Sequence, residues 1–189
     1  KEFEVYLVEK CKPTDHEDLE KKSQEEDGSS YDTLRDSVTG LYNDNAFDIL
    51  FHGNEHKQIA VLAAEIDDYS LFKREKGQEY VDRVVCRVAD VLRGNFRSMD
   101  HICRLRENKF VIIMANMDSK GMDLISSKID RINHELRKNP DGLATISMSV
   151  GVAFSDREKT ERNVFQDADT ALERMKEIMA GLRNDAPKA

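Results

Sequence analysis

The chain has 189 residues, enough for one domain with a short appendage, and charged residues make up 35% of it. Its net charge of −8 argues against nonspecific nucleic-acid binding, which depends on lysine and arginine neutralising phosphates, so we expect no nucleic-acid partner. No apolar run approaches the ~20 residues that a membrane helix needs. The sequence begins at Lys1, so we expect a fragment of a longer protein whose remaining part holds a sensor or a membrane anchor.

The cysteine content favours a reducing compartment. The three cysteines are odd in number and form no CxxC pair, so a disulfide framework is not expected. We therefore expect a cytoplasmic protein, or the cytoplasmic part of a membrane-anchored one.

The first 30 residues are predicted to be separate from the domain that follows. Residues 2–8 alternate loosely between apolar and polar side chains, as in a strand, and Pro13 ends that segment. Residues 15–27 are nearly all polar or charged, and Gly28 follows them, which indicates a linker or a solvated signalling helix. We place the boundary near residue 31, with one domain over residues 31–189.

Apolar periodicity predicts helices and strands in a mixed order along this domain. The helix predictions rest on apolar residues that recur every three or four positions, and they cover 47–51, 81–92, 122–136 and 164–182. The strand predictions rest on apolar runs or strict alternation, and they cover 59–66, 101–105, 109–115 and 145–154. A turn is expected at residues 140–142. The order predicts an α+β fold, with a mostly antiparallel central sheet flanked by helices.

Four separated blocks carry recognisable motifs. They are Asp36-Ser37-Val38-Thr39-Gly40-Leu41-Tyr42-Asn43, then Glu65-Ile66-Asp67-Asp68-Tyr69 with Gly77 and Asp82 downstream, then Ser149-Val150-Gly151-Val152-Ala153, and finally Ala168-Asp169-Thr170-Ala171-Leu172 with Lys176. Together, over roughly residues 32–184, they resemble the boxes of the GGDEF domains, the bacterial diguanylate cyclases, in the family's order. The resemblance implies a nucleotidyl-cyclase-like fold with a ferredoxin-like palm. It also implies a family reaction in which two GTP-loaded domains make cyclic di-GMP with the help of divalent metal.

The hairpin that would carry the family's signature departs from it in four of five positions. The residues there are Arg106, Glu107, Asn108, Lys109 and Phe110, and only Phe110 matches. The family's two glycines let the backbone come close to the nucleotide, and Arg106 and Glu107 fill that space. Asn108 replaces a metal-binding carboxylate, and Lys109 adds a positive charge beside the place where a dication would bind. We therefore expect a degenerate, catalytically inactive domain with no cofactor and doubtful Mg²⁺ binding.

Other nucleotide-contacting positions are partly kept. The resemblance places Glu65 at the first metal carboxylate, Lys73 and Asp82 at two guanine-contacting positions, and Lys176 at a phosphate-contacting position. Lys73 stands where the family has Asn, and an ammonium donates but cannot accept a hydrogen bond. These four residues form a vestigial nucleotide site, although such charges are as often simply exposed.

One further motif lies upstream of the hairpin. Arg97-Ser98-Met99-Asp100 has the R-x-x-D form of the family's inhibitory site, with Asp100 six positions before Arg106. The resemblance implies that Arg97 and Asp100 bind the guanine edges and phosphates of cyclic di-GMP, supported by Lys128 from the next helix. The motif is also typical of a surface ion pair at a helix end. Met175 and Met179 of the last helix are predicted to be core residues.

Three functions stay open on the sequence alone. The first is an inactive GGDEF domain that acts as a signalling module and receives cyclic di-GMP through the R-x-x-D site. The second is a dimerisation or protein-interaction module that needs no ligand and works by self-association or with a sensor or effector domain of the same protein. The third is a GTP-binding regulatory domain of a larger signalling protein.

Overall fold

The computed structural model describes residues 32–54, 57–138, 142–157 and 163–184. The helices are α1 (Asp44–His52), α2 (Tyr69–Lys76), α3 (Gln78–Asn95), α4 (Met122–Arg137) and α5 (Val164–Asn184). The strands are β1 (Ile59–Ile66), β2 (His101–Arg106), β3 (Lys109–Ala115) and β4 (Met148–Phe154). The predicted strand at 2–8, the polar segment 15–27 and most of the predicted turn at 140–142 lie outside the described residues.

The four strands form one sheet in the order β2-β3-β1-β4, and every neighbouring pair is antiparallel. This arrangement confirms the predicted α+β class. The register sets Glu65 of β1 opposite Lys109 of β3 on one side and Ser149 of β4 on the other. The end of β1 is therefore the place where residues from three strands meet.

Helices cover both faces of the sheet, so the core has two layers. On one face, Leu62 and Ile112 pack with buried residues of α3 and α4. On the other face, Val61 and Val111 pack with buried residues of α1 and α5. Because β1 is covered on both faces, its side chains are apolar almost without alternation, which explains the continuous apolar run at 59–66.

Two features of the fold differ from the sequence predictions. The helix α2 was not predicted, since it is short and largely polar and buries only Tyr69. The predicted strand over 145–154 was wrong at its beginning, because the strand starts at Met148. Alternation of side chains indicates the face of the sheet to which each one points, but a strand also needs a partner to pair with. The partner strand β1 ends at Ile66, which pairs with Met148, so β4 cannot begin earlier.

Gly151 lets α5 pack directly on β4. A Cβ at this position would lie 2.1 Å from the backbone nitrogen of Leu172 and 2.2 Å from the carbonyl oxygen of Ala168. Any side chain would force the helix away from the strand. The close approach holds α5, with the charged residues it carries, against the end of β1.

Candidate functional site

A cavity of about 400 Å³ opens where β1 ends, between the start of α2 and the second half of α5. Three of the predicted site residues, Glu65, Asn108 and Lys176, line it. The first turn of α2 forms another part of its wall, through Tyr69 and Ser70. The structure therefore brings together residues from β1, the β2–β3 turn and α5 that the sequence singled out separately.

The Glu65 carboxylate lies between two lysine side chains. Its Oε2 accepts a hydrogen bond from Lys176 Nζ at 2.8 Å, and its Oε1 is 4.0 Å from Lys109 Nζ. This hydrogen bond raises the pKa of Lys176 above its ordinary value, although burial acts in the opposite direction. Lys109 in turn forms an ion pair with Asp169 of α5. The result is a chain of alternating charges that links the sheet to α5.

Lys109 is buried, which its place in a charged turn did not predict. The cross-strand register sets it beside Glu65, and α5 supplies its second partner, Asp169. The sequence placed Asp169 in a motif block but did not predict its pairing with Lys109, since 60 positions separate the two residues and no local pattern joins them. A buried ammonium needs such carboxylate partners to offset its loss of hydration.

Arg104 of β2 holds the β2–β3 turn in place. The guanidinium of Arg104 donates to the carbonyl oxygen of Glu107 at 2.7 Å and to the carboxylate of Asp36 at 2.9 Å. The Glu107 side chain forms a solvent-exposed ion pair with Lys73 of α2. The turn is thus tied both to the opening box of the domain and to a position that the family resemblance assigned to guanine.

Lys73 and Asp82 lie near this turn and do not line the cavity. The Asp82 carboxylate accepts a hydrogen bond from Gln78 at 2.8 Å, within α3. Both side chains are close enough to the Tyr69 hydroxyl to affect its pKa, which burial and Glu107 raise. Phe110 is fully buried, so the one matching signature residue belongs to the core. Arg106 is exposed at the end of β2.

Asp67, two positions after Glu65 in the same motif block, has a structural role. Its carboxylate accepts hydrogen bonds from the hydroxyl groups of Ser147 and Ser149, at 2.5 and 2.7 Å. These bonds tie the loop after β1 to the beginning of β4. The Ser149 bond joins two motif blocks that lie far apart in the chain.

The R-x-x-D segment forms a tight turn between α3 and β2. Asp100 is only 1% exposed, and its carboxylate accepts a hydrogen bond from the backbone N–H of Arg97 at 3.0 Å. Lys128 donates to the carbonyl oxygen of Asn95 and lies 5.0 Å from the centre of the Phe96 ring. Arg97 itself is exposed.

The three residues of this predicted site are neighbours in space. Burial lowers the pKa of Lys128, nearby Asp100 raises it, and the adjacent cations Arg131 and Arg97 lower it further. Lys128 therefore lies within electrostatic range of one buried carboxylate, Asp100, and of two further cations, Arg97 and Arg131. Sequence reasoning did not identify Arg131, which lies one helical turn beyond Lys128 and could have been found by that spacing.

In the part of the chain that the structure describes, no three histidine, cysteine, aspartate or glutamate side chains are grouped as a metal ion would require. None of the helices in that part has the length and apolar character needed to cross a bilayer.

Comparison with known families supports the motif assignment. The family model described as "Diguanylate cyclase, GGDEF domain" matches residues 33–181. The curated relative diguanylate cyclase TpbB of Pseudomonas aeruginosa is 25% identical over 166 residues, which are 82% of this chain. This chain spans 38% of the length of TpbB. YtrP of Bacillus subtilis, an uncharacterised protein, is 24% identical over 139 residues, which cover 72% of this chain and 24% of YtrP.

Solved structures match the same fold. The GGDEF domain of TpbB aligns with a TM-score of 0.64 and 26% identity, covering 76% of this chain and 89% of that one. The FimX GGDEF domain of Pseudomonas aeruginosa aligns with a TM-score of 0.67 and 17% identity, covering 77% and 94%. The coiled coil and GGDEF domain of DgcB from Caulobacter crescentus, solved in complex with c-di-GMP, aligns with a TM-score of 0.69 and 21% identity, covering 94% and 95%.

Proposed function

This chain belongs to the GGDEF domain family, and on that premise we propose that it is a catalytically inactive member which serves as a signalling module of a larger protein. The observation that carries the proposal is the pairing of Glu65 with Lys109 and Lys176. In this arrangement, two ammonium groups bind the carboxylate that would hold the metal in an active relative.

The ammonium groups beside Glu65 disfavour the binding of a divalent cation. A monovalent and a divalent cation ~4 Å apart repel each other by about 8 kcal/mol at an effective dielectric constant of ~20. Asn108, which lines the same cavity, offers a neutral amide where the signature has an acidic residue. Mg²⁺ prefers carboxylate and phosphate oxygens, so the residues present do not suit it.

The turn opposes catalysis for a second reason. Glu107 stands at a signature glycine and is held by Arg104 through its carbonyl oxygen and by Lys73 through its side chain. A nucleotide base placed against Lys73 would have to break the second contact. The replacement of glycine by Glu107 and the Glu107–Lys73 ion pair therefore both disfavour binding of a nucleotide at this turn.

The absence of cyclase activity has a direct test. The protein is incubated with GTP and either Mg²⁺ or Mn²⁺, and the products are separated by liquid chromatography and identified by mass. We expect no cyclic di-GMP, with an active diguanylate cyclase as the positive control. Cyclic di-GMP formed at a rate comparable to that of the control would overturn the proposal.

As its signalling input we propose cyclic di-GMP, bound at Arg97, Asp100 and Lys128. Support comes from Lys128, which lies within electrostatic range of the buried Asp100 and of two further cations, Arg97 and Arg131. Guanidinium groups bind phosphates and guanine edges through paired hydrogen bonds. A related structure, that of DgcB, contains the same ligand, which makes cyclic di-GMP the first compound to test.

Calorimetry with cyclic di-GMP tests this input. We expect binding heat for the wild type and at least a tenfold loss of affinity for Arg97→Ala, because Arg97 is exposed and its removal leaves the core intact. Arg74→Ala is the matched control, since Arg74 is an exposed arginine of α2 that pairs with its neighbour Glu75. No heat from the wild type, or equal affinity of the Arg97→Ala variant, would refute ligand binding at this site.

A further inference from the structure

The helix α2 is weakly attached to the rest of the described structure. It buries a single side chain, Tyr69, and packs chiefly on α3, where the Phe72 ring lies 6.0 Å from the ring of Tyr80. Its contact with the β2–β3 turn is the ion pair between Lys73 and Glu107, whose side chains are 39% and 62% exposed. A segment with so little buried apolar surface opens at a lower free energy than the core does.

Both ends of α2 have a backbone conformation that suits a hinge. Asp68, just before the helix, has a φ of 56°, in the left-handed region that residues other than glycine adopt infrequently. Gly77, between α2 and α3, has a φ of 83°. Changes of backbone angles at a few positions at the ends of an element are enough to turn it as a unit. The strain at Asp68 also favours a movement that lets this residue return to a negative φ.

The closed position of α2 leaves one polar group unsatisfied. The Tyr69 hydroxyl is buried and has no hydrogen-bond partner among the described residues. Burial raises the pKa of this hydroxyl, and the charges of Glu107 and Lys73 lie close enough to change it further. A buried hydroxyl without a partner is costly, and water reaches it once α2 moves away. The hydroxyl therefore favours opening of α2, and the Lys73–Glu107 pair opposes it.

The start of α2 also covers one side of the cavity at the end of β1. Asp68 and Leu71 line this side, and Met179 and Ala180 of α5 line the other. Met175 and Met179 are 41% and 38% exposed in the described structure, so the prediction that they are core residues was wrong. Movement of α2 would widen the cavity and expose the apolar side chains of its α5 wall.

One side chain joins the β2–β3 turn to the start of the domain. Arg104 donates to the carbonyl oxygen of Glu107 at 2.7 Å and to the carboxylate of Asp36 at 2.9 Å, and it is buried. Asp36 lies in the first motif block, close to the first described residue. A displacement of Asp36 therefore reaches Glu107, the partner of Lys73, through a single buried side chain.

We propose that α2 is a flap over the cavity, closed by the Lys73–Glu107 pair, and that Arg104 relays the position of Asp36 to it. The proposal rests on the role of the chain as a signalling module and supplies the element that moves. When an input from the rest of the protein draws Asp36 away, Arg104 releases the turn, the ion pair breaks and α2 opens. The flap is tested without nucleotide, so it can fail while the absence of cyclase activity and the binding of cyclic di-GMP both hold.

Amide hydrogen exchange of the full chain, followed by NMR, tests the flap. The Phe72 amide donates to the Asp68 carbonyl oxygen at the start of α2. After correction for intrinsic rates, we expect it to exchange at least about tenfold faster than the Val85 amide in the middle of α3. Lys73→Met should accelerate exchange in α2 by about threefold or more and leave α3 unchanged. High salt should accelerate α2 in the wild type and not in Lys73→Met, because salt screens an exposed ion pair.

Arg74→Met is the matched control for Lys73→Met. Arg74 is an exposed residue of the same helix that pairs with its neighbour Glu75 and not with the turn. This variant should exchange as the wild type does. Equal protection of α2 and α3 in the wild type, or equal effects of the two substitutions, would overturn the flap.

Asp36→Asn tests the relay through Arg104. The substitution removes the charge that Arg104 binds and keeps the size of the side chain. We expect faster exchange in α2 and not in α3, with no further acceleration when Lys73→Met is added, because both substitutions act through the same ion pair. An unchanged α2 or additive effects of the two substitutions would refute the relay. Equal acceleration of α2 and α3 would also refute it, since Asp36→Asn would then weaken the whole fold.

Discussion

The buried Lys109 gives the sharpest test of how the site is held together. We consider Lys109→Met, which keeps much of the apolar stem and removes the ammonium. The Lys109 side chain is 10% exposed, and its partner Asp169 is 37% exposed. After the substitution Asp169 is hydrated by solvent, and Glu65 keeps Lys176 at 2.8 Å. The decrease in the free energy of unfolding should therefore be smaller than the ~3–5 kcal/mol seen when a fully buried pair is broken. We expect a decrease of about 1–2 kcal/mol.

Lys73→Met is the matched control. Lys73 also pairs with a carboxylate, but its side chain and that of Glu107 are 39% and 62% exposed. Exposed pairs contribute little because water and salt screen them. We expect no measurable change in the free energy of unfolding for this variant.

The assay is urea unfolding followed by circular dichroism, supported by thermal melting. For Lys109→Met we expect an unchanged denaturant slope and a melting temperature lower by roughly 2–8 °C. Equal destabilisation by both substitutions would show that burial does not set the strength of these pairs. Wild-type stability of Lys109→Met would show that the Lys109–Asp169 contact contributes nothing, and either result would refute the reasoning.

Three further predictions concern packing, pH and metal. Gly151→Ala should destabilise the fold by about 1–3 kcal/mol or more, since its Cβ meets the α5 backbone. Gly94→Ala, where a Cβ meets nothing within 4 Å, should be neutral or stabilising in the same melts. The pKa of Lys176 is raised, so its stabilising effect is complete below the ordinary lysine pKa and is lost as pH rises through the folded value. Melting from about pH 9 to 12 should fall more steeply for the wild type than for Lys176→Met, and parallel curves would contradict this. Asn108→Asp combined with Lys109→Glu should create Mg²⁺ binding by calorimetry, and equal Mg²⁺ heat from the wild type would count against our account of the site.

Local patterns in the sequence were enough for the elements and the fold class. The three-and-four spacing over 81–92 marks the face of α3 that is buried, and the unbroken apolar run at 59–66 marks a strand covered on both faces. The first signal arises from the 3.6-residue period of a helix, and the second from a short continuous apolar run, and both depend only on neighbours along the chain. The four motif blocks are also recognised by short spacings along the chain, and the family match over residues 33–181 confirms the resemblance that they predicted.

The sequence by itself therefore determined the family, the strands apart from the start of β4, and the helices apart from α2. Only the tertiary structure decided which partners the residues of the β2–β3 hairpin meet. It sets Lys109 between Glu65 and Asp169, buries Asp100 and leaves Met175 and Met179 exposed on α5. Such pairings join residues far apart in the chain, and the strand register and helix packing that create them are collective properties of the whole fold.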